Sequence, residues 1–98
     1  MLRMEFHQLE KSATLRLEGR FVGAWAEQAR SLVTKAPLPR RLVVDLREVS
    51  YVDSIGEQVL IWLCSIGAMF VAGSCYAVDV CERLQLPLER DVSSSQAR

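Results

Sequence analysis

The sequence predicts one mixed α/β domain, with a sheet of about four strands and its helices packed largely on one face of that sheet. Two short runs near the start, residues 4–9 and 13–17, read as strands; the second alternates cleanly, and together they predict an antiparallel pair. Two later segments repeat apolar residues at helical spacing, and short apolar runs of the kind found in buried strands follow each of them. With a last short helix, the predicted order is β-β-α-β-α-β-α.

The first helix is predicted over residues 24–36 and is stopped by Pro37 and Pro39. Its inward stripe, at spacing i, i+4, i+7, i+8 and i+11, consists of Trp25, Ala29, Leu32, Val33 and Ala36. Residues 41–46 then form a buried strand, and the strand–helix–strand connection predicts parallel pairing. We expect Gly19 to end the second strand and residues 47–50 to form a turn.

The second helix is predicted over residues 54–66. Its inward stripe is Ile55, Val59, Trp62, Leu63 and Ile66, and its outer side is Glu57, Leu60, Ile61 and Cys64. That outer side is more apolar than a solvated face should be, so the helix is either buried all round or presents a surface to a partner. Gly67 is expected to cap it, and a buried strand is expected over residues 68–72.

The last helix begins after Ser74, a good N-cap, and turns Ala77, Val80, Cys81 and Leu84 inward. The domain is expected to span residues 1–90, and residues 91–98 are expected to form a polar, disordered tail.

Charge and composition exclude several classes of protein. The 98 residues carry 12 basic and 12 acidic side chains, so there is no electrostatic reason to expect nucleic acid or an anionic membrane as a partner. Residues 59–78 are uncharged and long enough to span a membrane, but Ser65, Gly67, Gly73 and Ser74 interrupt them. Because the start lacks an apolar signal core, a cytoplasmic location is expected.

Residues that could perform catalysis are few. The only histidine, His7, lies on the first predicted strand, and the three cysteines contain no C-x-x-C pair. No metal-ligand spacing, phosphate loop or nucleophile elbow is present in the sequence. We therefore expect a protein that is not an enzyme and that uses neither a cofactor nor a metal.

The stretch "YVDSIGEQVL" places an acid, a hydroxyl and a glycine at the start of the most apolar helix. Ser54 and Glu57 have the spacing of a capping box, in which the serine hydroxyl accepts from the N–H of Glu57 and the glutamate reaches back. This arrangement stabilises a helix by about 1 kcal/mol and needs no further function.

The chain resembles the STAS domain, the fold of bacterial anti-sigma factor antagonists, over about residues 4–88. "RLVVDLREVSYVDSIG" is similar to the family's Asp-Leu, short turn and Asp-Ser-Ser-Gly signature, and it is the most specific part. "ATLRLEGRF", "GAMFVAG" and "AVDVCERLQL" resemble the second strand, the glycine-led fourth strand and the final helix.

The resemblance implies a regulatory binding protein whose partner is a serine kinase that is also the anti-sigma factor. The position that this kinase phosphorylates in the family is Ser54 here, and phosphorylation would end the binding. Asp53 and Gly56 match the signature, and Asp45 matches an acid that lies near the site in the family. Gly56 would leave room for the kinase to approach. Ile55 departs from the signature.

The partner-binding surface that the resemblance implies is the loop of residues 53–57, with outward residues of the second helix. Its members are Asp45, Asp53, Ser54, Gly56, Glu57, Leu60, Ile61 and Cys64. Glu57 would repel a phosphate on Ser54, so a purely structural cap stays open as an alternative. STAS domains also serve as constitutive cytosolic partners of the ATPase in phospholipid ABC transport, and the apolar outer side could instead form a homodimer.

Overall fold

The computed structural model describes residues 2–8, 11–36 and 41–89. Its elements are β1 (Leu2–Gln8), β2 (Ser12–Phe21), α1 (Gly23–Lys35), β3 (Arg41–Val52), α2 (Ser54–Ser65), β4 (Met69–Val71) and α3 (Cys75–Arg83). The predicted element order and fold class are confirmed. The predicted end of the first strand at residue 9, the proline stop at residues 37 and 39 and the tail of residues 91–98 lie outside the described residues.

The described strands form one mixed sheet in the order β1-β2-β3-β4. β1 is antiparallel to β2 and β2 is parallel to β3, as predicted. β3 and β4 are also parallel. Alternation along β2 buries Ala13, Leu15 and Leu17 against the core. The residues between them face the other side of the sheet, which carries ion pairs such as Arg16 with Glu18 at 3.0 Å.

The predicted turn over residues 47–50 is wrong, because β3 continues through it to Val52. The pairing of β3 with β2 shifts register twice, between Arg16 and Glu18 and between Gly19 and Arg20. Each shift places one extra β3 residue in the ladder, as a β-bulge does, and the strand continues through the run that was expected to turn. Gly19, predicted to end β2, lies inside it at φ 102°, a conformation that favours glycine.

The inward face of α1 also differs from the prediction. Ala26, Ala29 and Val33 are buried, whereas Trp25 and Leu32 are 39% and 37% exposed. Small side chains at the contact let the helix lie close to its neighbours, so the large side chains move to the flank. The pattern of size, rather than of hydrophobicity alone, decides the rotation of this helix.

Helix α2 is also rotated about its axis relative to the prediction. The prediction of Leu60 as an outward residue is wrong. Leu60 is 0% exposed, and it points inward with Gly56, Val59 and Leu63. Ile55, which was expected inside, is 40% exposed. Gly56 explains the rotation, because a glycine adds nothing to an apolar stripe and yet lets the helix approach the ends of β2 and β3 closely.

Both predicted boundaries after α2 are confirmed. Gly67 adopts φ 97° after the last turn, and the Ser74 hydroxyl accepts from the N–H of Ala77 at 3.0 Å to begin α3. Residues 59–78 are thereby divided into parts of α2, β4 and α3. Among the described residues, no helix has the length and apolar character that crossing a membrane requires.

Candidate functional site

The junction between β3 and α2 is built around the carboxylate of Asp53. Its Oδ1 accepts the N–H of Gly56 at 2.8 Å, and its Oδ2 accepts the N–H of Gly23, the first residue of α1, at 3.1 Å. One side chain therefore satisfies backbone donors at the N-termini of two helices, where the helix dipoles also favour a negative charge. Because Asp53 is the N-cap of α2, the predicted capping box of Ser54 and Glu57 is wrong.

Ser54 is the first residue of α2 and is exposed. Its hydroxyl has no hydrogen-bond partner among the residues that the structure describes. The first helical bond runs from the N–H of Glu57 to the carbonyl of Asp53, at 2.8 Å. The backbone N–H groups of Ser54 and Ile55 therefore also lack a protein acceptor within the described residues. An exposed hydroxyl lies beside two free N–H donors at the positive end of a helix.

Gly56 is buried, and its lack of a side chain serves packing. A Cβ added there would lie 2.2 Å from the carbonyl oxygen of Phe21 and 2.8 Å from a methyl carbon of Val52. The expectation that Gly56 leaves room for an approaching kinase is therefore wrong, because this space faces the ends of β2 and β3. The glycine allows the start of α2 to lie directly on the sheet.

Glu57 bonds to α3 rather than to the start of its own helix. Its Oε2 lies 2.9 Å from Nη1 of Arg83, the last residue of α3. The hydrogen bond to Glu57 and the negative charge of that carboxylate raise the pKa of Arg83. The pair links α2 to α3 one turn beyond Ser54.

The solvent-facing side of α2, named here the outer face, consists of residues at spacing i, i+4, i+7 and i+11 from its first residue. Its members are Ser54, Gln58, Ile61 and Ser65, all exposed. Ile61 is the large apolar residue of this face, at 49% exposure, and Ile55 lies on its flank. Cys64, predicted to face outward, is only half-buried, and Leu60 does not contribute.

Two tyrosines next to the junction were missed from the sequence. Tyr51 is 45% exposed and stacks on Tyr76 with ring centroids 6.4 Å apart, and the Arg20 guanidinium lies 5.4 Å from the centre of the Tyr51 ring. The Tyr76 hydroxyl accepts the N–H of Val52 at 2.8 Å. This bond holds the C-terminal end of β3, beyond the three β3 residues that pair with β4. Nothing in the spacing of Tyr76 signals this bond, because it lies 24 residues further along the chain.

Asp45 does not join this site. Asp45 pairs with Arg16 of β2, whereas Val52, at the end of β3, pairs with Phe21 of β2. Because Arg16 and Phe21 are five residues apart, Asp45 lies about 17 Å from the end of β3, at about 3.3 Å per residue. Asp45 is 7% exposed, and its carboxylate accepts from the Arg47 backbone N–H at 3.0 Å and from the Arg47 side chain at 2.9 Å. Burial would raise the pKa of Asp45, but the Arg47 hydrogen bonds and the charges of Arg47 and Arg16 together lower it. Asp45 therefore forms an ion pair with Arg47 that serves the structure.

His7 lies on the polar side of β1, exposed and 3.4 Å from Glu5. Within residues 2–8, 11–36 and 41–89, no group of three or more histidine, cysteine or acidic side chains is placed to hold a metal ion.

Comparison with solved structures places this architecture among known folds. An anti-sigma factor antagonist, SpoIIAA, in its unphosphorylated form superposes with a TM-score of 0.72 at 16% identity, covering 97% of this chain and 94% of that one. An anti-sigma factor antagonist from Mycobacterium paratuberculosis gives a TM-score of 0.74 at 17% identity, covering 97% and 91%. The chain has the fold of the anti-sigma factor antagonists.

The resemblance to STAS domains is thereby confirmed for the fold. The sequence itself matches no family model and no curated protein.

Proposed function

We propose that this chain is a regulatory protein-binding module of the anti-sigma factor antagonist type. It docks through the outer face of α2 on a serine-kinase anti-sigma factor in the bacterial cytoplasm, and phosphorylation of Ser54 ends the binding. The observation that carries this proposal is the state of the Ser54 hydroxyl, which is exposed and bonded to nothing in the described structure. The two structures of the same fold support it, since both are anti-sigma factor antagonists.

The modification is a phosphoryl transfer. The Ser54 oxygen forms a bond to the γ-phosphorus of ATP, the bond from that phosphorus to the bridging oxygen of ADP breaks, and the hydroxyl proton is released to a base of the kinase. Because Asp53 caps α2, the transfer breaks no hydrogen bond that holds the helix. The added dianion would lie at a helix N-terminus with two free N–H donors, so the domain can stay folded.

Loss of binding follows from desolvation. Ile55 and Ile61 give the docking surface an apolar part, at 40% and 49% exposure. A phosphate brought against such a surface loses its water without gaining a partner in the kinase. A cost of about 3–4 kcal/mol weakens binding several hundredfold, because 1.4 kcal/mol corresponds to a factor of ten.

The test is incubation of the purified chain with ATP and the serine kinase encoded nearest to it, followed by intact-mass and peptide mass spectrometry. We expect a single phosphate on Ser54 and none on Ser54→Ala. Ser65→Ala is the matched control, because Ser65 lies on the same outer face with its hydroxyl bonded to the carbonyl of Trp62 at 2.6 Å. Binding of the kinase without any labelling of Ser54 would contradict the switch.

One observation favours a second candidate, constitutive docking on a transporter ATPase. The start of α2 is held by Asp53 and by the bond of Glu57 to Arg83, so the surface keeps its shape whatever the state of Ser54. Ser54→Asp separates the two candidates. Kinase binding that falls at least tenfold supports the switch, whereas co-purification with an ATPase that is indifferent to Ser54→Asp supports the transporter.

A further inference from the structure

An arginine is bound by the residue that lies one helical turn after Ser54. Glu57 follows Ser54 by three residues on α2 and holds Nη1 of Arg83 at 2.9 Å. Residues three apart on a helix are surface neighbours, with Cβ atoms about 5–6 Å apart. The Arg83 guanidinium is therefore anchored to a surface neighbour of Ser54, and the Arg83 side chain is 51% exposed.

We propose that Glu57 and Arg83 form the receiving pair for this phosphate. Glu57 positions the guanidinium, and the N–H donors of Arg83 that Glu57 does not use bind the phosphate oxygens on Ser54. This inference rests on the proposed function and deepens it, because it assigns the contact that phosphorylated Ser54 makes inside the domain.

The charges around Ser54 favour such a cation. Ser54 follows Asp53 directly and precedes Glu57 by three residues, so both carboxylates would repel a phosphate there. The field at Arg83 also includes the carboxylate of Asp79, so the arginine lies in an acidic neighbourhood. The two free N–H donors at the start of α2 favour an added dianion, and a cation beside it would offset the repulsion from these carboxylates.

The chemistry of arginine allows both contacts at once. Its guanidinium carries five N–H donors in a planar fork, and the bond to Glu57 occupies Nη1. The fork can keep Glu57 and still present other donors to a phosphate. Glu57, which by its charge alone opposes phosphorylation, instead becomes the residue that positions the cation.

Arg30 provides a matched control within the same domain. It pairs with Glu27 at 3.7 Å, its side chain is 50% exposed, and it lies over the Trp62 ring of α2 at 5.4 Å. Arg30 is therefore an arginine of similar exposure with an acidic partner, and it differs from Arg83 in not being joined to the first turn of α2.

The experiment uses the full chain with phosphoserine incorporated at position 54 during translation, so that no kinase is needed. The pH midpoint of the phosphate is measured by 31P NMR in the native protein. A bound guanidinium favours the dianion, so we expect Arg83→Gln to raise this midpoint by about 0.4. Arg83→Lys, which keeps the charge and loses the fork, should raise it by less. Arg30→Gln should leave it unchanged.

An Arg83→Gln midpoint equal to that of the wild type overturns the proposal, as does an equal rise with Arg30→Gln. Far-UV circular dichroism and the urea midpoint confirm that each variant is folded before the comparison. Arg83→Lys supplies the same test should Arg83→Gln fail to fold, since equal midpoints for Arg83→Lys and wild type would remove the role of the fork. Failure of the kinase to label Ser54 would contradict the proposed function and leave these midpoints unaffected.

Discussion

The double cap formed by Asp53 gives the most direct test of how the site is held. Asp53→Ala removes the acceptor of the Gly56 N–H and of the Gly23 N–H together. An N-cap contributes about 1 kcal/mol, and a hydrogen bond to a charged group contributes about 1.5–3 kcal/mol. We therefore expect Asp53→Ala to lower the free energy of unfolding by about 2.5–4 kcal/mol.

Two further variants separate the two bonds. Asp53→Asn keeps one amide oxygen, which can accept from one N–H, while its NH2 group cannot accept from the other, so we expect about half the loss. Ser74→Ala removes a cap with a single bond, to the N–H of Ala77, and should cost about 1 kcal/mol.

The assay is urea denaturation followed by far-UV circular dichroism, with the slope of free energy against urea compared among variants. Amide hydrogen exchange gives a local measure. The Gly23 N–H should exchange faster in Asp53→Ala than in the wild type, and its exchange rate should be unchanged in Ser74→Ala. If Asp53→Ala costs no more than Ser74→Ala, or the Gly23 amide keeps its protection, the carboxylate does not hold both helices.

Three other substitutions test the surroundings of the site. Gly56→Ala places a Cβ 2.2 Å from the Phe21 carbonyl oxygen, so we expect the free energy of unfolding, measured by urea denaturation, to fall by about 3 kcal/mol or more. A fall of less than about 1 kcal/mol would contradict the close approach. The pKa of Asp45 is lowered from its ordinary 3.8, so the ionised carboxylate stabilises the fold at neutral pH and this contribution is lost as the pH falls below that value. Asp45→Asn should therefore be less stable than wild type near neutral pH and should lose less stability between about pH 5 and about pH 2, and parallel curves would refute the role of its pairing with Arg47. Tyr76→Phe leaves the N–H of the last β3 residue without its acceptor and should cost about 1–3 kcal/mol, measured in the same way, with no change pointing to replacement by water.

The sequence was sufficient for the order of elements, because that order depends on local patterns. Alternation in β2 and glycine and serine at the ends of helices are read within a few residues, and Gly67 and Ser74 act as predicted. The rotation of α1 and α2 was not predictable in the same way, since it depends on which side chains are small enough to let a helix approach. Ala26 is fully buried and Gly56 lies where a Cβ would meet the Phe21 carbonyl, and neither contributes to a pattern of large apolar residues.

The candidate site shows the same limit. Sequence spacing favoured a cap by Ser54, because serine followed three residues later by glutamate satisfies the pattern. In the structure Asp53 competes for the same donors with an acceptor that also reaches Gly23, 30 residues away along the chain. An interaction of that range has no signature in a window of ten residues, so the pattern assigned the cap to the neighbouring residue.

The position of the cap at Asp53 rather than at Ser54 bears on what the Asp-Ser-x-Gly stretch does. Asp53 caps two helices and Gly56 allows the closest contact with the sheet, so both are required by the fold itself. Ser54 lies between them and makes no hydrogen bond in the described structure that would explain a hydroxyl there. A position whose chemistry the fold does not use, held rigidly by neighbours that the fold does use, is well suited to modification, because its charge can change while the helix that presents it stays in place.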